Sequence, residues 1–190
     1  MFKVKFTGKF IAYTAILTAL CALANIYSIP ISGSSSNFLS FTYIPCFLAG
    51  IYLGVPAAFF VGAIGDVLGC LIAPKGAWLP LIILASSLIG VIPGILFYLF
   101  NKKNNENKRP ILKRNILLWI SLVFVLIICT SGINTLTLWM TYSKGKTFWV
   151  YLGARLPTQL FVLLINGILL SILTSTPIIH KALTLQSINK

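Results

Sequence analysis

The sequence predicts an all-α integral membrane protein, a bundle of six transmembrane helices with both termini in the cytoplasm. Three observations carry this. Hydrophobic residues make up 58% of the 190-residue chain and its mean hydropathy is +0.96, far outside the range of soluble domains. The apolar residues gather in six stretches, and a helix needs about 20 such residues to cross the hydrocarbon core, fewer when neighbours cover it. The basic residues fall between the stretches with a strong bias to one side. Helices are the only spanning form left, because the alternation of a membrane barrel is absent.

The stretches lie at about 9–29, 39–54, 56–73, 79–100, 113–140 and 149–176, within one domain spanning 1–190. The first follows Lys3, Lys5 and Lys9 and ends in Ala22-Leu23-Ala24, which imitates a secretory signal with its cleavage site. It is long enough to span and is the first of several, so it is expected to be retained. Within it Ala15 and Ala19 form a small-x-x-x-small pair, extended by Ala12 and Ala22, on which another helix backbone packs closely. Spacing alone assigns that helix equally to the bundle or to a partner. The stretch "SIPISGSSSN", Ser28 to Asn37, is uncharged and rich in Ser and Gly, and reads equally as a movable lid or an inert connector. The third stretch holds "GAIGDVLG", in which Gly62, Gly65 and Gly69 surround Asp66, the one acid inside an apolar run. "NKKNNENKRP", Asn101 to Pro110, is a polar cytoplasmic loop that divides four helices from two.

Orientation follows from the basic residues. With the N-terminus inside, Lys3, Lys5, Lys9, Lys102, Lys103, Lys108, Arg109, Lys113, Arg114, Lys181 and Lys190 are cytoplasmic, and only Lys75, Lys144 and Lys146 are outside. The net charge of +13 would suggest a nucleic-acid partner in a soluble chain. Here the positive-inside rule and anionic membrane lipid account for it, and no nucleic acid is expected. Cys21, Cys46, Cys70 and Cys129 lie in separate apolar stretches with no ligand spacing, so they read as small core hydrophobes and no metal site is expected. His180 sits in the polar tail. Lys144-Gly145-Lys146-Thr147 ends like a phosphate loop, but the position of its first glycine is Met140. ATP, if used, is therefore hydrolysed by partner subunits, and the chain itself holds no cofactor. Catalysis needs paired acids or a nucleophile with a base, and this inventory supplies neither.

What remains is Arg155, inside the last stretch. It and Asp66 both lie about 9–10 Å in from the predicted outer helix ends at 1.5 Å per residue. Two readings follow: a structural Arg155–Asp66 ion pair, or an arginine that meets a substrate anion. Around Arg155 the chain places Asn134, Trp139 and Tyr142, then Trp149 and Tyr151, with Gln159 one turn deeper on the same helix face. Pro157 between them frees the carbonyl of Gly153 for a ligand or water. Aromatic residues at this depth are often interfacial anchors. Buried amides, an arginine and ring faces together describe a pocket for a flat, polar, anionic molecule.

These residues carry a resemblance. The Ala-x-x-x-Ala helix, "YIPCFLAGIYLGVPAAFFVGAIGDVLGCLIAPKGAWLP" (Tyr43 to Pro80) and "LIGVIPGILF" (Leu88 to Phe97) look like the substrate-binding S component of an energy-coupling factor (ECF) vitamin transporter. "GINTLTLWMTYSKGKTFWVYLGARLPTQL", Gly132 to Leu160, is similar to the folate branch in its Asn-Thr pair, its Tyr-x-Lys-Gly stretch and its arginine in the last helix. The resemblance implies a multi-pass plasma-membrane subunit, bacterial in kind, that captures folate from outside. It also implies partnership with the membrane scaffold EcfT and two cytoplasmic ATPases, with Ala15 and Ala19 on the scaffold interface and the bundle toppling to deliver its cargo. Arg155 would then meet a carboxylate, Asn134 and Gln159 would hydrogen-bond, and Trp78, Trp139 or Tyr142 would stack on the pteridine. One departure stands out: folate-type members are often basic at the outer end of the first helix, where this chain has Ala24-Asn25-Ile26-Tyr27. A smaller carboxylated vitamin or precursor such as pantothenate is the alternative, and a small dimeric proton-coupled transporter working through Asp66 is the alternative of another class.

Overall fold

The computed structural model describes residues 8–31, 38–74, 79–103, 110–142, 145 and 147–176. Six helical segments account for most of them: α1 (Gly8–Ile26), α2 (Tyr43–Leu53), α3 (Val55–Ile72), α4 (Pro80–Lys103), α5 (110–142) and α6 (Phe148–Ser175). Between α1 and α2, the two-residue strands β1 (Ile29–Pro30) and β2 (Phe38–Leu39) pair antiparallel, with Ile29 opposite Leu39. The expected lid stretch falls here, and its residues 32–37 lie outside the described residues.

Five of the helices are long and apolar enough to cross a membrane, and α2 is shorter. Its six α-helical and five π-helical residues rise about 16 Å, roughly half of the ~30 Å hydrocarbon thickness. The expected helix over 39–54 is therefore too long at its outer end. Pro45 has no amide hydrogen to give and fits a first turn without loss of a hydrogen bond, and the helix starts at Tyr43, after Thr42. At its other end Gly54 adopts φ +96°, a conformation that a side chain would strain. One residue thus suffices to turn the chain into α3, which Pro56 opens.

Short as it is, α2 stands between two cores. Leu17, Cys21, Leu48, Ala57 and Val61 join α1, α2 and α3, whereas Phe47, Leu118, Leu122, Val125, Val162 and Leu170 join α2, α5 and α6. Lipid is as apolar as these side chains, so close packing rather than escape from water holds the helices together. The α3 glycines serve that packing. A Cβ on Gly65 would lie 2.7 Å from Cys21 Cβ, one on Gly69 would lie 2.7 Å from Asn25 Cβ, and one on Gly62 would meet the backbone of Ser86 in α4. The same convergence corrects one expectation about α1. Ala12, Ala15 and Ala19 are exposed, but Ala22 is 5% exposed, because α3 closes on α1 at its outer end. Three of the four cysteines are buried, with Cys21 Sγ 3.7 Å from Cys46 Sγ.

Candidate functional site

Above the start of α2, where a full-length helix would otherwise stand, a cavity of about 380 Å³ opens between the outer ends of the other helices. That is within the size range of small-molecule sites. Phe38, Ser40, Thr42 and Tyr43 line it from the β2–α2 corner, and Asn166 of α6 holds that corner by donating from Nδ2 to the Ser40 carbonyl at 3.0 Å. Apolar lining comes from Ile82, Ala85, Ile89, Leu138 and Val162.

One wall belongs to α1, α3 and α4. Asp66, 9% exposed, lines the cavity with Asn25, Cys70 and Ser86. Asn25 Nδ2 donates to Asp66 Oδ1 at 2.8 Å, and Asp66 Oδ2 is buried with no hydrogen-bond partner. The contact exists because Gly69 has no side chain to hold Asn25 off.

A second wall belongs to α5 and α6. Residues Leu126–Asn134 of α5 form a π-helical stretch, a wider winding that often marks functional sites. From it onward Thr130, Asn134, Leu138 and Tyr142 reach the cavity at four-residue intervals. Thr135 sits beside this row and organises α6. Its hydroxyl donates to the Thr130 carbonyl five residues back at 2.8 Å, and accepts from Gln159 Nε2 at 3.0 Å and Arg155 Nη1 at 3.3 Å. A hydroxyl has one donor and two acceptor positions, so this one is fully used. Ser131 Oγ donates to Gln159 Oε1 at 2.8 Å, which fixes which way the amide faces. Arg155, 7% exposed, also stands over the Tyr151 ring at 5.9 Å. Tyr43 and Thr130 hydroxyls meet at 2.6 Å across α2 and α5.

Of the residues singled out from the sequence, Arg155, Asn134, Gln159 and Tyr142 line the cavity. Trp139 does not: its ring lies edge-on to Phe148 at 5.8 Å, at the α5–α6 junction. Trp78, Lys144 and Lys146 lie outside the described residues, as does His180. Trp149 is 75% exposed, as an interfacial anchor would be. Pro157 is inside α6 as expected, but Gly153 is exposed and outside the cavity lining, so the freed carbonyl does not serve the site. Among the described residues, no hydrogen bond or ion pair joins Asp66 to Arg155; Asp66 binds Asn25 and Arg155 binds Thr135. Sequence reasoning missed Asn25, Tyr43, Thr130 and Thr135. Asn25 carried a signal, as an amide near the outer end of an apolar helix; Thr130 and Thr135 carried none, because their facing depends on the π winding.

Comparison with known proteins agrees with this architecture. A family model described as "ECF-type riboflavin transporter, S component" matches residues 5–178. The chain is 33% identical over 132 residues to "Folate transporter FolT" of Clostridium novyi (strain NT), covering 70% of this chain and 69% of that protein. It is similar in fold to the "Crystal structure of FolT bound with folic acid", with a TM-score of 0.67 and 23% identity over 85% of this chain and 91% of that one. An all-helical membrane bundle with a cavity beneath one face, matched over nearly its whole length, leaves one assignment: the chain belongs to the family of ECF-type transporter S components.

Proposed function

We propose that this S component binds folate from outside the cell and delivers it to an ATP-driven transporter. Membership of the family sets aside a self-contained proton-coupled carrier. It leaves the vitamin open, because the family model is described by riboflavin and the relative by folate. The observation that carries the folate reading is the buried guanidinium of Arg155 on the cavity wall. An arginine at membrane depth costs about 2.5–3.5 kcal/mol on insertion scales, and the Thr135 hydroxyl and Tyr151 ring that it meets are uncharged groups. A carboxylate of the ligand offsets that cost; riboflavin is uncharged and has none. Folate supplies carboxylates on its glutamate and a flat ring for the rest of the cavity.

In this reading Arg155 takes a glutamate carboxylate. Asn134, whose Oδ1 is buried without a hydrogen bond, accepts from the ligand, and Gln159 ties α6 to Thr135 and Ser131 beside Arg155. Tyr142, at the mouth, and Trp78 are the stacking candidates; Trp139 is not. The partners are the scaffold EcfT and two cytoplasmic ATPases, and the exposed, small surface of Ala15 and Ala19 supports α1 as the scaffold contact. A leucine at both positions should leave folate binding intact and prevent co-purification with the scaffold. The identity of the vitamin is tested by calorimetric titration of the purified chain with folic acid, riboflavin and pantothenate. Folic acid should bind and the other two should fail to displace it; preferential binding of riboflavin overturns the proposal.

A further inference from the structure

The cavity wall carries a carboxyl group, that of Asp66, as well as the guanidinium, and we propose that it reads the ligand's ring. Asp66 takes the paired N–H donors on the pyrimidine edge of a bound pterin, so that one molecule is gripped by an acid at its ring and by Arg155 at its tail. This rests on the folate reading and adds the residue that selects the ring system.

Three observations support it. Asp66 lines the cavity while being more than nine-tenths buried, so it is a built part of the wall. Its two oxygens are used unequally: Asn25 holds Oδ1 at 2.8 Å, with the Ser86 hydroxyl also bonded to the carboxylate, and Oδ2 makes no geometrically sound hydrogen bond although it is buried. Buried polar atoms are nearly always satisfied, so such an exception calls for a partner. Third, a strut to Asn25 and Ser86 would need only a neutral acceptor, since an amide does the same work without an acid in the membrane.

The chemistry of the edge follows. A carboxylate only accepts hydrogen bonds. The aminopyrimidinone edge of a pterin offers a ring N–H and an exocyclic amine side by side, the planar two-donor fork that carboxylates bind best in arginine. The corresponding edge of a flavin offers one N–H flanked by two carbonyl oxygens, which would face Asp66 with like polarity. Asp66 therefore favours a pterin and disfavours a flavin, and such a repulsive element is how specificity between similar ring systems is usually secured.

The test uses the full-length protein in detergent, titrated with folic acid and with an analogue in which a methyl group replaces the 2-amino group. The wild type should bind folic acid about 10- to 100-fold more tightly than the analogue, the value of a hydrogen bond to a charged group. Asp66→Asn should bind folic acid more weakly and lose most of that discrimination, whereas general damage would lower both affinities together. A wild type that binds folic acid and the analogue equally overturns the role of Asp66 and leaves the folate reading standing. A wild type that binds no folic acid overturns both. Should Asp66→Asn fail to fold, the wild-type comparison decides alone.

Discussion

The two charged walls of the cavity are built by different means. On the α1–α3 wall, glycines remove side chains until backbones nearly touch, and Asp66 is placed by proximity, with Asn25 and Ser86 as its side-chain partners. On the α5–α6 wall the helix is widened instead, and Arg155 and Gln159 converge on one threonine hydroxyl that is itself pinned to the π stretch. The first wall is therefore sensitive to added volume and the second to lost polarity. That difference also fits the sides of the ligand each would meet: a rigid ring edge needs a fixed acceptor, and a flexible carboxylate tail needs a cation held in place by several groups.

The largest effect should come from the second wall. Arg155→Ala is expected to weaken folic acid binding by about 2–5 kcal/mol, the cost of truncating one partner of a desolvated charge pair, while the empty protein loses only the hydrogen bond to Thr135, about 0.6 kcal/mol of stability. A variant that instead melts much lower and binds normally once folded would make Arg155 a strut. On the first wall, Gly69→Ala drives a methyl group into Asn25, and the Cβ rather than a flexible tip is what it meets. Overpacking of this kind costs about 1–3 kcal/mol of stability, read as a lower melting temperature in detergent; an unchanged value would mean that α1 is not pressed onto α3. Thr135→Val tests the polar hub without adding volume. Interhelical hydrogen bonds in membranes average about 0.6 kcal/mol each, so losing those from Arg155 and Gln159 should destabilise by only about 1 kcal/mol. Folic acid affinity should fall by less than in Arg155→Ala, because the guanidinium stays on the wall.

The same contrast explains what could be read from the chain. The six helices follow from runs of apolar residues, a property of each segment alone, and Arg155 and Gln159 were found because one helical turn separates them. The start of α2 was misplaced because hydropathy continues through Phe38–Leu39, and only Pro45 marks the limit. Ala22 shares spacing with Ala15 and Ala19, yet it is buried because α1 and α3 converge, which no single-helix pattern records. Thr130 faces the cavity and Thr135 meets α6 behind it through a π winding, and that shifts every residue after it relative to an α-helical projection. Asn25 and Asp66 meet across 41 positions through a glycine whose only signal is the absence of a side chain.

The smallest effect is the sharpest test of where the second wall ends. Trp139 stands one residue after Leu138, which lines the cavity, yet its ring meets Phe148 at 84° and 5.8 Å. An edge-to-face pair is worth about 0.5–1.5 kcal/mol, and here it joins the last turn of α5 to the first of α6. Phenylalanine at position 139 keeps an aromatic partner for Phe148, so Trp139→Phe should change folic acid affinity by no more than about 0.5 kcal/mol, the range of substitutions away from a specific feature. A tenfold loss would mean that the outer turn of α5 rotates when ligand binds and brings the indole inward. In that case the wall built on Thr135 is fixed only as far as the hub itself, and the residues beyond it are set by the ligand.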